Sequence, residues 1–244
     1  MAIRGVIFDL FHTLTSPESG WSDLPWTSDI LGIDRSVWNG LLSKHSRWRL
    51  VGDVRDPTEI VRLLVKDIHP IISEELIAKA SSFRLDRFRQ ALENIPPENL
   101  ELLSELRFRG LRLGLLSNAD ASEVAAWPSS PLAGRFDTEI FSCNVGTAKP
   151  EAAIYVECLR QLGLAANECV FVGDGGSDEL VGARKVGMHS VFFSGAIEAQ
   201  WPERIATRAA DADAHIRVLS HLLSLPIFIG GNSPPPAGVS NDVA

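Results

Sequence analysis

The sequence predicts an α/β protein: a doubly wound, mostly parallel sheet with an inserted α-helical block. Three observations predict it. After Pro96-Pro97, short apolar runs alternate with helical segments. The first apolar run, Ile3 to Phe8, stops abruptly at Asp9. Between about Asp23 and Leu92, apolar residues keep helical spacing with no strand-like run among them.

Taken in order, Ile3 to Phe8 reads as a buried strand that delivers a carboxylate at its C-terminal end. The block that follows has helical pairs such as Val37/Leu41 and Ile60/Leu64, punctuated by Gly52, Pro57 and Pro70. A helix from Glu98 to Arg109 stops at Gly110, and the strand Leu111 to Leu116 ends in Ser117-Asn118. Strands follow at Glu139 to Ser142, Cys169 to Val172 and Ser190 to Phe193, separated by helices at Glu151 to Leu162 and Glu179 to Val186. A weak strand at Ala212 to Ile216 and a helix at Val218 to Leu225 finish the pattern. The remainder carries Gly230-Gly231 and Pro234-Pro235-Pro236 and reads as a flexible tail. The expected organisation is a core from residues 1–15 and 95–225, a helical module over 16–94, and a tail over 226–244.

Composition narrows the function. At 244 residues, 45% hydrophobic and 22% charged, the chain can build a packed core. Its net charge of −8 disfavours nucleic acid and anionic lipid as partners. The three cysteines, Cys143, Cys158 and Cys169, lack metal-ligand spacing, so neither zinc nor a disulfide framework is expected. No run of about 18 apolar residues is present, and Asp9 cuts the first apolar run before it could act as a signal core. The expectation is a soluble cytoplasmic protein with no membrane partner; its oligomeric state is open.

In doubly wound sheets the ligand lies beyond the carboxyl ends of the strands. Four polar clusters fall there: Asp9, Ser117-Asn118, Lys149-Pro150, and the run Gly173 to Glu179. Each alone is ordinary, since Ser and Asn cap helices and Asp marks turns. Together, FDLFHTLT, LLSNAD, AKPEAAIY and VFVGDGGSDELVGARKVGM resemble, in order, the four motifs of the haloacid dehalogenase superfamily of hydrolases. The resemblance implies a Rossmann-like core with a helical cap inserted between the first and second motifs.

It also implies roles. Asp9 would be the covalent nucleophile, with Thr13 closing its loop. Ser117 would bind oxygens of the transferring group, and Asn118 would support that loop or orient substrate. Lys149 would hold Asp9 and offset negative charge. A Mg²⁺ ion would sit on Asp9, the backbone carbonyl of Phe11 and Asp174, supported by Asp178 or Glu179. The activity implied is a Mg²⁺-dependent phosphatase acting on a small phosphorylated metabolite, a small-molecule anionic substrate.

One position departs from the pattern. Phosphatases of the superfamily usually carry a second Asp, the general acid–base, two residues after the nucleophile; here it is Phe11. Leaving groups that need no proton, such as acyl or aryl phosphates, would tolerate the change. His12 could substitute, although strand alternation points it away from the Asp9 side. Alternatively the chemistry is that of the superfamily's 2-haloacid dehalogenases, which resemble this chain in having an aromatic residue there but are metal-free. A phosphonate hydrolase would need a Schiff-base lysine, and Lys44, Lys66 and Lys79 read as solvated. A catalytically impaired phosphate-binding homologue is a further alternative. Trp21, Trp26, Trp38 and Trp48 could line a specificity pocket or glue the helices together, core packing being the commoner fate, and Arg47 and Arg49 are plausible anion contacts, although such a basic face is usually solvated.

Overall fold

The computed structural model describes residues 2–68, 72–198 and 200–229. Six strands form one all-parallel sheet in the order β3-β2-β1-β4-β5-β6. Strand β1 (Gly5–Phe8) is followed by five helices, α1 (Thr27–Leu31), α2 (Arg35–Lys44), α3 (Ser46–Leu50), α4 (Pro57–Val65) and α5 (Glu74–Glu93). Then come α6 (Pro97–Phe108), β2 (Arg112–Ser117), β3 (Thr138–Phe141), α7 (Ser142–Val145), α8 (Ala152–Leu162) and β4 (Cys169–Gly173). The described chain closes with α9 (Glu179–Lys185), β5 (His189–Phe193), α10 (Ile205–Ala210), β6 (Ala214–Ile216) and α11 (Pro226–Ile229).

The central strand β1 is buried throughout and pairs with both β2 and β4, Phe8 lying opposite Leu115 and Val172. Strand alternation sends Val6 and Phe8 to one face, with Leu103 and Leu106 of α6. Ile7 goes to the other, with Ile154 and Cys158 of α8 and Leu180 of α9. The chain winds outward from β1 through β2 to β3, and from β4 through β5 to β6. The direction of winding therefore reverses between β1 and β4, and the crevice at their C-terminal ends is where such sheets bind ligands.

The helices between β1 and β2 have a core of their own, including Trp38, Leu41, Ile60, Leu64 and Ile77. Asp56 caps α4 through the Glu59 N–H, with Pro57 at the first helical position, and Ser73 caps α5 through the Leu76 N–H. Helix α5 spans two cores: Ile77 and Ala80 pack within the helical block, and Leu92 packs under the sheet. A buried quartet ties block to core. Arg49 of α3 and Arg84 of α5 both reach Asp120 and Glu123 in the loop after β2, at distances of 2.6 to 3.0 Å. Arg49 is thus buried, contrary to the solvated basic face expected of it. Arg47 does remain exposed, paired with Glu151.

The helix expected at Val218 to Leu225 is present as a 3₁₀ helix over Leu219–Ser224. One further expectation is corrected at the C-terminal end. Pro226–Ile229, expected to begin the tail, forms α11, with Ile227 and Phe228 packed on the core under the sheet. The apolar PIFI run outweighs the helix-breaking residues beyond it. Residues 230–244 of the expected tail lie outside the described residues.

Removing one cation from a buried, hydrogen-bonded charge cluster leaves its carboxylates underpaired, at a cost of about 3–5 kcal/mol. Arg49→Met should lose that much unfolding free energy in urea titrations, whereas exposed Arg47→Met should lose under about 1 kcal/mol.

Candidate active site

Backbone pairing of β1 with β4 continues one residue past the strand, where the Asp9 N–H donates to the Val172 carbonyl at 2.9 Å. Asp9 is thereby carried to the end of β4, beside Asp174. The chain then turns sharply: the Leu10 carbonyl accepts from the N–H groups of Thr13, Leu14 and Thr15, and His12 adopts a left-handed φ of 62°. Strand alternation therefore no longer applies at residue 12. His12 lines the same crevice as Asp9, with Nδ1 4.0 Å from Asp174 Oδ2, which corrects the expectation that it points away. Its Nε2 is buried without a partner among the described residues.

Both Asp9 oxygens are held. Lys149 Nζ donates to Oδ1 at 2.6 Å and Thr13 Oγ1 to Oδ2 at 3.1 Å. Lys149 also donates to Glu179 Oε2 at 2.5 Å. Asn118 fixes the backbone of Lys149 at two points: its Oδ1 accepts from the Lys149 N–H at 2.8 Å, and its Nδ2 donates to the Lys149 carbonyl at 2.9 Å. Asn118 thus supports the lysine loop, one of the two roles expected of it. The Ser117 hydroxyl at the end of β2 is fully buried and has no partner among the described residues. Neither Ser117 nor Asn118 caps a helix.

After β4 the backbone passes through left-handed conformations at Gly175, Ser177 and Asp178. This tight turn decides between the two acids left open by the sequence. Asp178 is exposed, so the structure does not bring it to the site. Glu179, the first residue of α9, turns inward, 1% exposed, accepting from the Gly175 N–H at 2.9 Å as well as from Lys149. Gly173 is required opposite it, since any Cβ there would collide with the Glu179 carboxylate. Tyr155 of α8 donates to the Glu179 carbonyl at 2.8 Å and fixes the start of the helix.

Asp9, Asp174 and Glu179 each place a carboxylate oxygen within 4.8 Å of the others. Burial and the neighbouring negative charges push Glu179 up to about 8, with Lys149 pulling against them. Burial likewise raises Asp9, against the pull of Lys149. Burial works against the charge on Lys149, but Asp9 and Glu179 outweigh it and hold the ammonium protonated.

Sequence reasoning missed a second cation. Arg208 of α10 donates to the Asp174 carbonyl at 2.7 Å and to its Oδ2 at 3.0 Å. Arg204 and Trp201 line the same crevice of ≈ 290 Å³. The signal available was the four-residue spacing of two arginines after the β5 run, which carries no chemistry by itself. The Phe11 side chain faces an aromatic wall, its ring centroid 5.5 Å from Trp21 and 5.3 Å from Phe88. Lys44, Lys66 and Lys79 are all exposed.

A model of haloacid dehalogenase-like hydrolases matches residues 3–187. The chain belongs to this family. Proteins similar to it include phosphoserine phosphatase from Thermus thermophilus, 29% identical over 154 residues, 53% of this chain and 62% of that protein. Another is haloacid dehalogenase-like hydrolase domain-containing protein 3 from Homo sapiens, 30% identical over 55% of this chain and 52% of that protein. The chain spans about half the length of the curated relatives it matches. Among solved structures, a dehalogenase superposes with a TM-score of 0.64 at 21% identity, covering 91% of this chain and 96% of its own. A phosphatase of the family from Thermococcus onnurineus superposes at 0.62 and 22% identity, over 94% and 99%. These structures share the fold. Among the described residues no helix is long and apolar enough to cross a membrane.

The raised carboxyl ties stability to pH. The folded chain keeps a proton on Glu179 up to about 8, whereas an unperturbed glutamate releases it near 4.5. This contribution is fully present below the unfolded value and is lost as pH rises through the folded one. In chelator, the thermal midpoint should fall between about pH 5 and about pH 9, and Glu179→Gln should flatten that slope.

Proposed function

We propose that this family member is a Mg²⁺-dependent phosphatase of small phosphorylated metabolites, with Asp9 as covalent nucleophile and the helices of residues 16–94 forming a cap over the site. The observation that supports it most is Asp9 itself, held at both oxygens beside Asp174 at the reversal point of the sheet. One Asp9 oxygen would bond to phosphorus as the ester oxygen leaves with its electron pair, and water would then hydrolyse the aspartyl phosphate. Thr13 and Lys149 orient the carboxylate. The unpaired Ser117 hydroxyl and the Lys149 ammonium suit the phosphoryl oxygens.

The residues present fit a hard divalent cation. Asp9 and Asp174 offer oxygen donors with lone pairs to spare, and with Glu179 they place carboxylate oxygens within 4.8 Å of one another. Asp9, Asp174 and the Phe11 carbonyl would hold Mg²⁺, with Glu179 acting through Lys149 and Gly175. Bound there, the ion would offset charge on the transferring group. Phe11 cannot exchange a proton, whereas His12, which lines the same crevice, can. We assign it the leaving-group proton.

A second reading, hydrolysis at carbon as in 2-haloacid dehalogenases, is favoured by one observation. Arg208 already pairs with Asp174, so the site carries a counter-charge of its own. Halide also departs without a proton, which suits Phe11.

Phosphate release from an alkyl, aryl and acyl phosphate panel decides between the two. Turnover should require Mg²⁺ and vanish in Asp9→Asn. No phosphate release, together with chelator-insensitive halide release from 2-haloacids, would establish the second reading. His12→Ala should slow alkyl phosphates by about 10²-fold or more and p-nitrophenyl phosphate by under about tenfold, because only the alkoxide needs the proton.

A further inference from the structure

Within the helical block lies a second cavity of ≈ 70 Å³, lined by Trp21, Trp26, Trp38 and Phe88 together with polar groups of α1 and α5. It shares no lining residue with the crevice at Asp9. The two are separated by the ring contacts of Phe11 with Trp21 and Phe88.

The polar groups at this cavity are not satisfied by the fold. Arg87 is 4% exposed, and among the described residues no carboxylate lies within ion-pair distance of it. Its Nη1 donates to the Leu24 carbonyl at 2.6 Å and the Ser22 carbonyl at 3.4 Å, and its Nη2 has no partner. Its guanidinium carbon lies 3.7 Å from the Trp26 ring centroid, and that of Arg35 lies 3.5 Å from the same centroid. Glu18, paired with Arg35, and Asp29 act on Arg87 only from beyond ion-pair distance, and burial outweighs them. Arg84 Nη1 and the Ser28 hydroxyl, on residues 4% and 1% exposed, are also buried without partners.

A buried arginine without a counter-ion is rare unless an anion joins it, because a charge out of water needs a partner of opposite sign. Three unpaired donors around one cavity are a set of hydrogen bonds awaiting acceptors. We propose that this cavity binds a small carboxylic acid, its carboxylate on Arg87 Nη2 with Ser28 Oγ and Arg84 Nη1, and its apolar body among the tryptophans. The planar guanidinium edge matches a carboxylate. A volume of roughly five water-sized probes suits a few heavy atoms. Glu18 and Glu123 on the lining disfavour a phosphate dianion more than a monoanion. The site is independent of the phosphatase reading, since Asp9 takes no part in it.

The test is calorimetric titration of the full chain with propionate and with benzoate, and with inorganic phosphate for comparison. Wild type and Asp9→Asn should bind a carboxylate at one site with equal affinity, and more tightly than phosphate. Arg87→Met should weaken binding by at least about tenfold. Arg87 also holds the Ser22 and Leu24 carbonyls, so Ser28→Ala carries the test if that variant unfolds. The Ser28 hydroxyl supports nothing else in the fold, and its loss should weaken binding about threefold to tenfold with an unchanged melting temperature. The proposal is overturned by any of four results: no saturable binding of either acid, loss of carboxylate binding in Asp9→Asn, undiminished binding in folded Ser28→Ala, or tighter binding of phosphate than of carboxylate.

Discussion

The Lys149 ammonium is the charge on which the site depends. Bonded to Asp9 and Glu179 at once, it brings the ends of β1 and β4 and the start of α9 into one buried cluster. Two carboxylates packed this closely without a cation would repel each other in a medium that screens charge poorly. Much of the surrounding structure serves to keep that nitrogen in place. Asn118 grips the lysine backbone from the end of β2, Gly173 leaves room for the Glu179 carboxylate, and Tyr155 holds the first turn of α9. Four chain segments, around residues 9, 118, 149–155 and 173–179, thus meet around a single positive charge.

The loop after β2 has a second task. Two residues beyond Asn118, Asp120 receives Arg49 and Arg84 from the helical block. Burial opposes ionisation of Asp120, yet the two arginines outweigh it and hold the carboxyl below its usual range. Asp120 also accepts from the Ser122 N–H and hydroxyl, and Glu123 reaches back to the Asp120 N–H, so the loop is braced internally. One short segment therefore positions Lys149 on one side and anchors the inserted helices on the other.

The sheet was legible in the sequence because each strand is a short apolar run closed by a polar residue, and Asp9, Lys149 and Asp174 stood at the strand ends where parallel sheets bind ligands. What was illegible has particular causes. His12 was misjudged because alternation was extended four residues beyond Phe8, where the strand had already given way to a turn with a left-handed residue. The choice between Asp178 and Glu179 rested on a turn of three left-handed residues that no spacing rule describes. Arg49 read as a surface cation and Arg208 was not singled out, because the partners that bury them lie 71 and 34 residues away. Charged residues report their burial only through such pairings, whereas apolar periodicity reports it locally.

The aromatic at position 11 shows how far the surroundings of a site have adapted to one residue. Phe11 packs edge-on against Phe88 of the helical block and tilted against Trp21, which in turn stacks on His12 at 5.5 Å. His12 is thus held between the Trp21 face and an edge contact with Trp201, next to Asp174. Restoring an aspartate at 11 would set a carboxylate against this apolar wall and beside three others that already compete for Lys149 and Arg208. Desolvation and repulsion would both favour its neutral form. Phe11 and His12 therefore form one arrangement: the ring at 11 packs on Trp21, and Trp21 stacks on the imidazole that lines the crevice.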